Sequence, residues 1–347
     1  MLQRLLGACC ALGAIAAVAA GPAGAADKPI SGNLRIVIGS SSTSGDTYQN
    51  AAIVAEALSK KLGINAKVDA VGVSAAFSAV KRSSDGSTVM FFHDQAYLGQ
   101  LFGLKGYPDV FKDLRVGPTV SINPGDAFVG AKDSPYKTIE DMIQAAGQGR
   151  KIRVAIQPGG VSEILYGGLK NAIEVRFPGQ EKNLVAVNSG SQGDKNQLLF
   201  DRQVEVIHGS VQANEQYTRL PADDQKAMRF LWLPARQKTI AQANPEGLGG
   251  TTREQLLAFC DPMASVTLDG KTNFTHDKEF FFLYNKKMSP KIVAYLDKAL
   301  TEIFAGNEIK TSLKKSFFIP NFLPSKEAEV YLKAKSEQAK KLIAIIR

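Results

Sequence analysis

The chain has 347 residues, of which 44% are hydrophobic, and a formal net charge of +9 at pH 7. This length exceeds what one apolar core usually supports, so we expect more than one lobe. The positive charge favours anionic ligands. The sequence contains no array of basic and aromatic residues suited to nucleic acid, which excludes that class of partner from our expectations.

The N-terminal segment has the pattern of a secretory signal peptide. One arginine precedes an apolar stretch at 5–20 that is short for a membrane span, and small residues follow at 23–26. We therefore expect a signal peptide over the first 26 residues, cleaved after Ala25 or Ala26, and a periplasmic mature protein. The alternatives are an uncleaved anchor helix and a weak lipobox that ends at Cys9.

From residue 33 onward, β-rich runs alternate with segments of helical periodicity. Strands are predicted at 34–38, 66–71, 88–92, 152–156, 184–187 and 204–207. Helices are predicted at 48–62, 139–146, 162–172 and 192–200, after the cap formed by Ser289 and Pro290, and over 325–345. Strands separated by helices imply parallel sheets, so the predicted fold class is α/β.

Two lobes that share connecting strands would accommodate a chain of this length without a long linker. The predicted crossings are the apolar runs 116–122, just before Asn123-Pro124-Gly125, and 229–233, just before Pro234. The predicted domains are the signal peptide 1–26, a discontinuous lobe 1 over 27–123 plus 234–347, and lobe 2 over 124–233.

The residues available for catalysis are few. Cys260 is the only cysteine after the signal peptide, so no internal disulfide is expected, and no G-x-S-x-G, C-x-x-C or H-E-x-x-H motif occurs. His93 and Asp94 are adjacent at a strand end, where neighbouring side chains point to opposite faces. We therefore predict no enzyme, no catalytic residue, no metal site and no cofactor.

Binding has better support, because small polar residues occupy the predicted strand-to-helix junctions. Free backbone N–H groups at such junctions stabilise anions, and open α/β sheets bind ligands at this edge. Asp46 has the alternative role of capping its helix. The predicted ligand-binding residues are Ser41, Ser42, Thr43 and Asp46 in the loop 39–46; Gly159, Gly160 and Ser162 in 157–162; Asn188, Ser189 and Ser191 in 188–193; Ser210; and, at the third strand, His93 and Asp94.

At these junctions the chain resembles the solute-binding proteins of tripartite tricarboxylate transporters, of the Bordetella uptake gene type. The resemblance covers essentially the whole mature chain. Its landmarks are Ser44-Gly45-Asp46, Asp85-Gly86-Ser87-Thr88, the segment 133–141 containing Ser-Pro-Tyr-Lys-Thr, the two Gly-bearing loops, and Pro290-Lys291-Ile292-Val293. It implies a type II periplasmic-binding-protein fold, whose two lobes close around a carboxylate and deliver it to membrane permease subunits. We expect a monomer that binds a small organic anion.

Two departures from the family pattern bear on the ligand. The first loop is rich in serine rather than glycine, and His93 stands where the family has small residues. The alternatives are a receptor of the TRAP type (TAXI-like), against which the Ser-Pro-Tyr-Lys-Thr element argues, and a secreted α/β hydrolase. The identity of the carboxylate, and delivery to a sensor rather than to a permease, stay open at this point.

Overall fold

A computed structural model describes residues 29–30, 32–260 and 265–346. The predicted signal peptide lies outside the described residues. The strands are β1 (Asn33–Ile38), β2 (Asn65–Ala70), β3 (Thr88–His93), β4 (Leu114–Asn123), β5 (Asp126–Ala131), β6 (Ile152–Ile156), β7 (Leu184–Asn188), β8 (Val206–Ser210), β9 (Met228–Trp232), β10 (Lys278–Asn285) and β11 (Ile319–Pro320).

The helices pack around two sheets. They are α1 (Asp46–Leu62), α2 (Val73–Arg82), α3 (Gln95–Leu101), α4 (Val110–Asp113), α5 (Ile139–Gly147), α6 (Val161–Arg176), α7 (Gln192–Phe200), α8 (Val211–Thr218), α9 (Gln237–Ile240), α10 (Arg253–Ala258), α11 (Pro290–Ala305), α12 (Glu308–Lys315) and α13 (Ser325–Ile346), with a short 3-10 helix at Glu181–Asn183. Among the described residues, no helix is both long enough and apolar enough to cross a membrane.

The two sheets are the bases of two lobes, so the predicted α/β fold with two lobes is confirmed. The first sheet has the strand order β11-β4-β10-β3-β1-β2, and the second has the order β7-β6-β8-β5-β9. β1 runs parallel to β2 and β3, and β6 runs parallel to β7 and β8. These parallel strands each lead into a helix, as the alternating sequence pattern predicts.

The sheets are mixed rather than parallel throughout. β10 is antiparallel to β3 and β4, and β5 is antiparallel to β8 and β9. The chain passes from the first sheet to the second between β4 and β5, at the predicted 116–122 crossing. The predicted 229–233 run corresponds to β9, which among the described strands pairs with β5 alone. The chain enters the first sheet again at β10.

Most predicted elements are present with small shifts of their ends. One expectation is corrected: β8 begins two residues later than the predicted 204–207 strand and continues through His208, Gly209 and Ser210, beyond its predicted end. Pairing explains the difference, because Ser210 lies opposite Asp126 and His208 opposite Phe128 on β5. The local sequence pattern of one strand does not show which other strand will pair with it.

Candidate functional site

The chain encloses a cavity of about 210 Å³ where the two sheets meet. Its walls come from the carboxyl ends of β1 and β3 in the first sheet, β6 and β8 in the second, and the loops that follow them. This is the edge at which open α/β sheets bind ligands. A Cβ atom at Gly39 would overlap the ring of Phe92, so this wall requires glycine.

The cavity brings together eight of the predicted site residues. They are Ser41, Ser42, Asp46, His93, Gly160, Ser162, Ser191 and Ser210. These residues come from five segments that are far apart in sequence: three loops with the first turns of the helices that follow them, and the carboxyl ends of β3 and β8. The α/β topology places all five segments at one edge. The sequence-based prediction of a polar, hydroxyl-rich cleft therefore matches the composition of this wall.

The other predicted residues do not line the cavity. Thr43 and Asn188 are exposed, Gly159 packs against Leu104, and the Ser189 hydroxyl is buried without a hydrogen-bond partner. Asp94 follows the last residue of β3 as the N-cap of α3 and does not line the cavity. The fully buried Asp94 carboxylate is 2.7 Å from the Lys335 ammonium and accepts a hydrogen bond of 2.8 Å from the Tyr97 hydroxyl.

Six helices begin at this cavity. Five of them, α1, α2, α6, α7 and α8, have glycine or serine at the N-cap, and α3 begins after Asp94. Each helix N-terminus carries a partial positive charge of about 0.5 and backbone N–H groups without helical partners. Ser191 and Ser210 cap α7 and α8 with their own side chains. The N-cap residues of α1, α2 and α6 are Gly45, Gly72 and Gly160, which provide no side-chain cap.

A buried lysine connects the two lobes beside the cavity. The Lys278 ammonium on β10 lies 2.6 Å from the Asp46 carboxylate on α1 and 2.8 Å from the Asp126 carboxylate on β5. Burial alone would raise the pKa of Asp46, but Lys278 outweighs it and holds this pKa at about 2. Burial raises the pKa of Asp126, and the charge of Asp46 adds to that effect against the lowering effect of Lys278.

A second lysine in the cavity has no partner. Lys195 on α7 is 4% exposed, lines the cavity and forms no hydrogen bond or ion pair with any described residue. Burial lowers its pKa to about 8, and the positive charge of Lys278 contributes. The ammonium is therefore still mostly protonated at pH 7, in a position where an unpaired charge is costly.

Two histidines line the cavity in the neutral form. Burial lowers the pKa of His93 to about 3, with Lys278 contributing, and its Nδ1 accepts a hydrogen bond from the Gln95 backbone N–H at 3.3 Å. Burial, together with Lys195 and Lys278, lowers the pKa of His208 well below its usual value. Neither ring nitrogen of His208 has a hydrogen-bond partner among the described residues.

Sequence reasoning missed Lys195, Lys278, Asp126 and the role of His208. Lys278 stands two residues before a run of phenylalanines, and a lysine at the start of an apolar strand could have indicated a buried charge. Lys195 lies about one helical turn after Ser191, the N-cap of α7, where a side chain can point back toward the helix N-terminus. The partners of both lysines lie far away in sequence, and no local pattern indicates them.

The cavity does not assemble hydrolytic machinery from the groups described. The Ser210 hydroxyl accepts a hydrogen bond from the Ala213 backbone N–H and makes none with His208, so it is not paired with a base. Cys260 is buried, and burial raises the pKa of its thiol to about 12. Within the described ranges, no group of His, Cys, Asp and Glu side chains has an arrangement that could hold a metal ion.

Solved structures share this fold. The periplasmic binding protein BugD superposes with a TM-score of 0.68 at 16% identity, covering 90% of this chain and 97% of its own. MatC of Rhodopseudomonas palustris, solved with malate, gives 0.66 at 16%, covering 91% and 99%. An R. palustris protein solved with adipate gives 0.70 at 14%, covering 90% and 97%. No protein-family model matches the chain, and no curated protein matches it.

Proposed function

We propose that this protein is an extracytoplasmic solute-binding receptor. It captures a small organic anion, a carboxylate, between its lobes and delivers it to a membrane transporter of the tripartite tricarboxylate type. Solved structures with the same fold include periplasmic binding proteins, and two of them were solved with the carboxylates malate and adipate. The cavity of about 210 Å³ lies below the range for drug-sized ligands and suits a small molecule.

The observation that carries this proposal is the ammonium of Lys195, which has no partner among the described residues and lies in a cavity where five helices with glycine or serine N-caps begin. A buried cation without a partner is unfavourable, and a carboxylate that forms a charge-assisted hydrogen bond with it removes that cost. The uncapped N-termini of α1, α2 and α6 offer backbone N–H groups to the same anion. A receptor needs these features, whereas a hydrolase would need a nucleophile paired with a base.

The remaining parts of the proposal follow from the same role. The mature protein is periplasmic and begins after the signal peptide 1–26, its direct partners are the permease subunits, and it acts as a monomer. The two lobes are hinged at the connections between the sheets, as in other receptors that close around a ligand.

The test is a screen of small carboxylates by thermal shift, followed by titration calorimetry on the best ligand with Lys195→Gln. A ligand at 100 times its dissociation constant should stabilise the fold by about 2.7 kcal/mol. Loss of a hydrogen bond to a charged group costs about 1.5–3 kcal/mol, so the variant should bind roughly tenfold or more weakly. Affinity of the unaltered protein should also fall as the pH rises above 8, where Lys195 loses its proton.

Lys182→Gln is the matched control, because Lys182 is exposed in the short 3-10 helix and its loss removes the same charge from the surface. This control should bind the ligand with unchanged affinity and keep the pH dependence. Failure of every carboxylate to shift the melting temperature would contradict the proposed function. Equal ligand affinities of Lys195→Gln and Lys182→Gln would show that Lys195 does not contact the ligand.

A further inference from the structure

Three buried polar atoms in the cavity wall have no hydrogen-bond partner among the described residues. They are Oδ2 of Asp126 and the two ring nitrogens of His208, and these side chains are 2% and 5% exposed. The other Asp126 oxygen, Oδ1, accepts from Lys278, and His208 Nε2 is 3.6 Å from that oxygen, which is beyond hydrogen-bond distance. A buried polar atom left unsatisfied costs about 1–3 kcal/mol, so these atoms require a partner from the contents of the cavity.

The three atoms specify complementary chemistry. A carboxylate oxygen only accepts hydrogen bonds, so Asp126 Oδ2 requires a donor. A neutral imidazole has one N–H that donates and one nitrogen that accepts, so His208 requires an acceptor on one side and a donor on the other. A plain carboxylate ligand supplies acceptors alone and leaves two of these requirements unmet.

The charges around the cavity point the same way. Its charged side chains are the carboxylates of Asp46 and Asp126 and the ammonium groups of Lys195 and Lys278, whose formal charges cancel. Lys195 and Asp126 both line the cavity and form no ion pair with each other, so each can contact a different group of one ligand. An anionic group at Lys195 is therefore best accompanied by a donor at Asp126.

We propose, on the premise of the function given above, that the natural ligand is a carboxylate that bears a hydroxyl or ammonium group on a neighbouring carbon. Its carboxylate binds Lys195 and the free helix N-termini. Its donor binds Asp126 Oδ2 or the accepting nitrogen of His208, and the N–H of His208 donates to a ligand oxygen. The specificity of this site lies in the donor rather than in the length of the carbon chain.

The experiment compares ligands that differ only in the donor, by titration calorimetry on the mature protein. The sets are propionate, lactate and alanine; succinate, malate and aspartate; glutarate, 2-hydroxyglutarate and glutamate; and tricarballylate and citrate, with both enantiomers where they exist. In the set that binds best, the donor-bearing member should bind at least tenfold more tightly than the plain acid, because the plain acid leaves a buried acceptor unpaired. The hydroxy and amino members of the first three sets distinguish the two kinds of donor.

The outcomes separate this inference from the proposed function. Equal affinity of the plain and donor-bearing acids would overturn the inference while leaving the receptor function in place, and would mean that water or a protonated Asp126 satisfies these atoms. If no member of any set binds, both proposals fail.

A variant pair tests the assigned atoms. Asp126→Asn should remove most of the advantage of the donor-bearing ligand and change the affinity of the plain acid much less. Asp223→Asn makes the same chemical change at an exposed position and should keep the full advantage. If Asp126→Asn does not fold, as judged by circular dichroism, His208→Gln is the second variant. It should reduce the ratio of the affinities of the donor-bearing and plain acids. An unchanged ratio in a folded variant would contradict the assignment.

Discussion

Adjacent residues on β10 show how strand alternation separates two chemical roles. Lys278 points to the cavity and its two carboxylate partners, whereas Glu279 points to the opposite face. The fully buried Glu279 carboxyl accepts hydrogen bonds from the Asn321 side-chain amide at 3.0 Å and from the Tyr331 hydroxyl at 2.9 Å. Burial raises its pKa to about 8, against the lowering effect of Lys335.

Glu279 should make stability depend on pH. The folded protein holds a proton on Glu279 that the unfolded chain releases above its ordinary pKa of 4.5, so this group's contribution to the free energy of unfolding falls as pH rises from 4.5 to about 8. The slope is at most about 1.4 kcal/mol per pH unit. Chemical denaturation across this range should show a shallower decline in Glu279→Gln than in the unaltered protein.

The control for this prediction is Glu254→Gln, which removes an exposed carboxylate from the first turn of α10. It should retain the decline of the unaltered protein. Identical pH profiles for Glu279→Gln and the unaltered protein would show that Glu279 is ionised when folded.

At the scale of elements, five of the helices that begin at the cavity divide into two kinds by their N-cap residue. α7 and α8 satisfy their first turns with serine caps, and α1, α2 and α6 begin after glycine. Glycine is a weaker cap than serine or aspartate by a few tenths of a kcal/mol, so the three glycine-capped helices forgo some stability. The N–H groups of their first turns are the ones that a ligand can use, except that of Thr47, which donates to Asp46 Oδ1 at 2.8 Å.

Gly45→Asp should weaken ligand binding and stabilise the N-terminus of α1. Gly45 has φ −84° and ψ 165°, and a Cβ there meets nothing within 4 Å, so an aspartate can cap α1 without strain. Its carboxylate would occupy the N–H groups offered to the ligand and repel the ligand's charge. We expect an unchanged or slightly higher melting temperature without ligand and at least tenfold weaker carboxylate binding by calorimetry.

Asn307→Asp provides the comparison, since Asn307 precedes α12, also lacks a side-chain cap hydrogen bond and does not line the cavity. It should leave ligand affinity unchanged. Unaltered binding by Gly45→Asp would exclude the N-terminus of α1 from the anion site.

At the scale of the whole molecule, few strands join the two lobes. The chain crosses at Asn123-Pro124-Gly125 and returns at β10, and the ion pair between Lys278 and Asp126 also spans the sheets. The segment after β9 packs with the second sheet, because Leu233, Ile240 and Leu256 share an apolar cluster with Val129. We therefore propose that lobe 2 extends to residue 277 instead of 233, with lobe 1 formed by the remainder of the mature chain.

Ligand binding should bring the lobes together around this connection. Small-angle X-ray scattering on the mature protein should report a smaller radius of gyration with saturating carboxylate, since the two walls of the cavity gain a shared partner. Lys195→Gln at the same ligand concentration should show a smaller decrease in the radius of gyration. A radius unchanged at demonstrated saturation would contradict the hinge and leave the binding site in place.

Most elements of the fold could be predicted from the sequence, because their signals are local. The helical periodicity of apolar residues before Gly63 predicted α1, and Gly63 is the C-cap of that helix with φ 65°. The capping pair Ser289 and Pro290 located α11, where the serine side chain accepts a hydrogen bond from Ile292 N–H. Alternation of strands and helices then placed the small polar loops at one edge of the sheets.

Only the tertiary structure decided which charges meet in the cavity. Lys278 reaches Asp46 and Asp126 across more than 150 positions of sequence, because antiparallel pairing brings β10 beside β4 and the crossing brings β5 to the same place. Lys195 has no partner among the described residues, and this too depends on which distant segments pack around its side chain. Periodicity specifies the face on which a side chain lies, whereas pairing and burial of charge depend on chain segments that the local sequence does not contain.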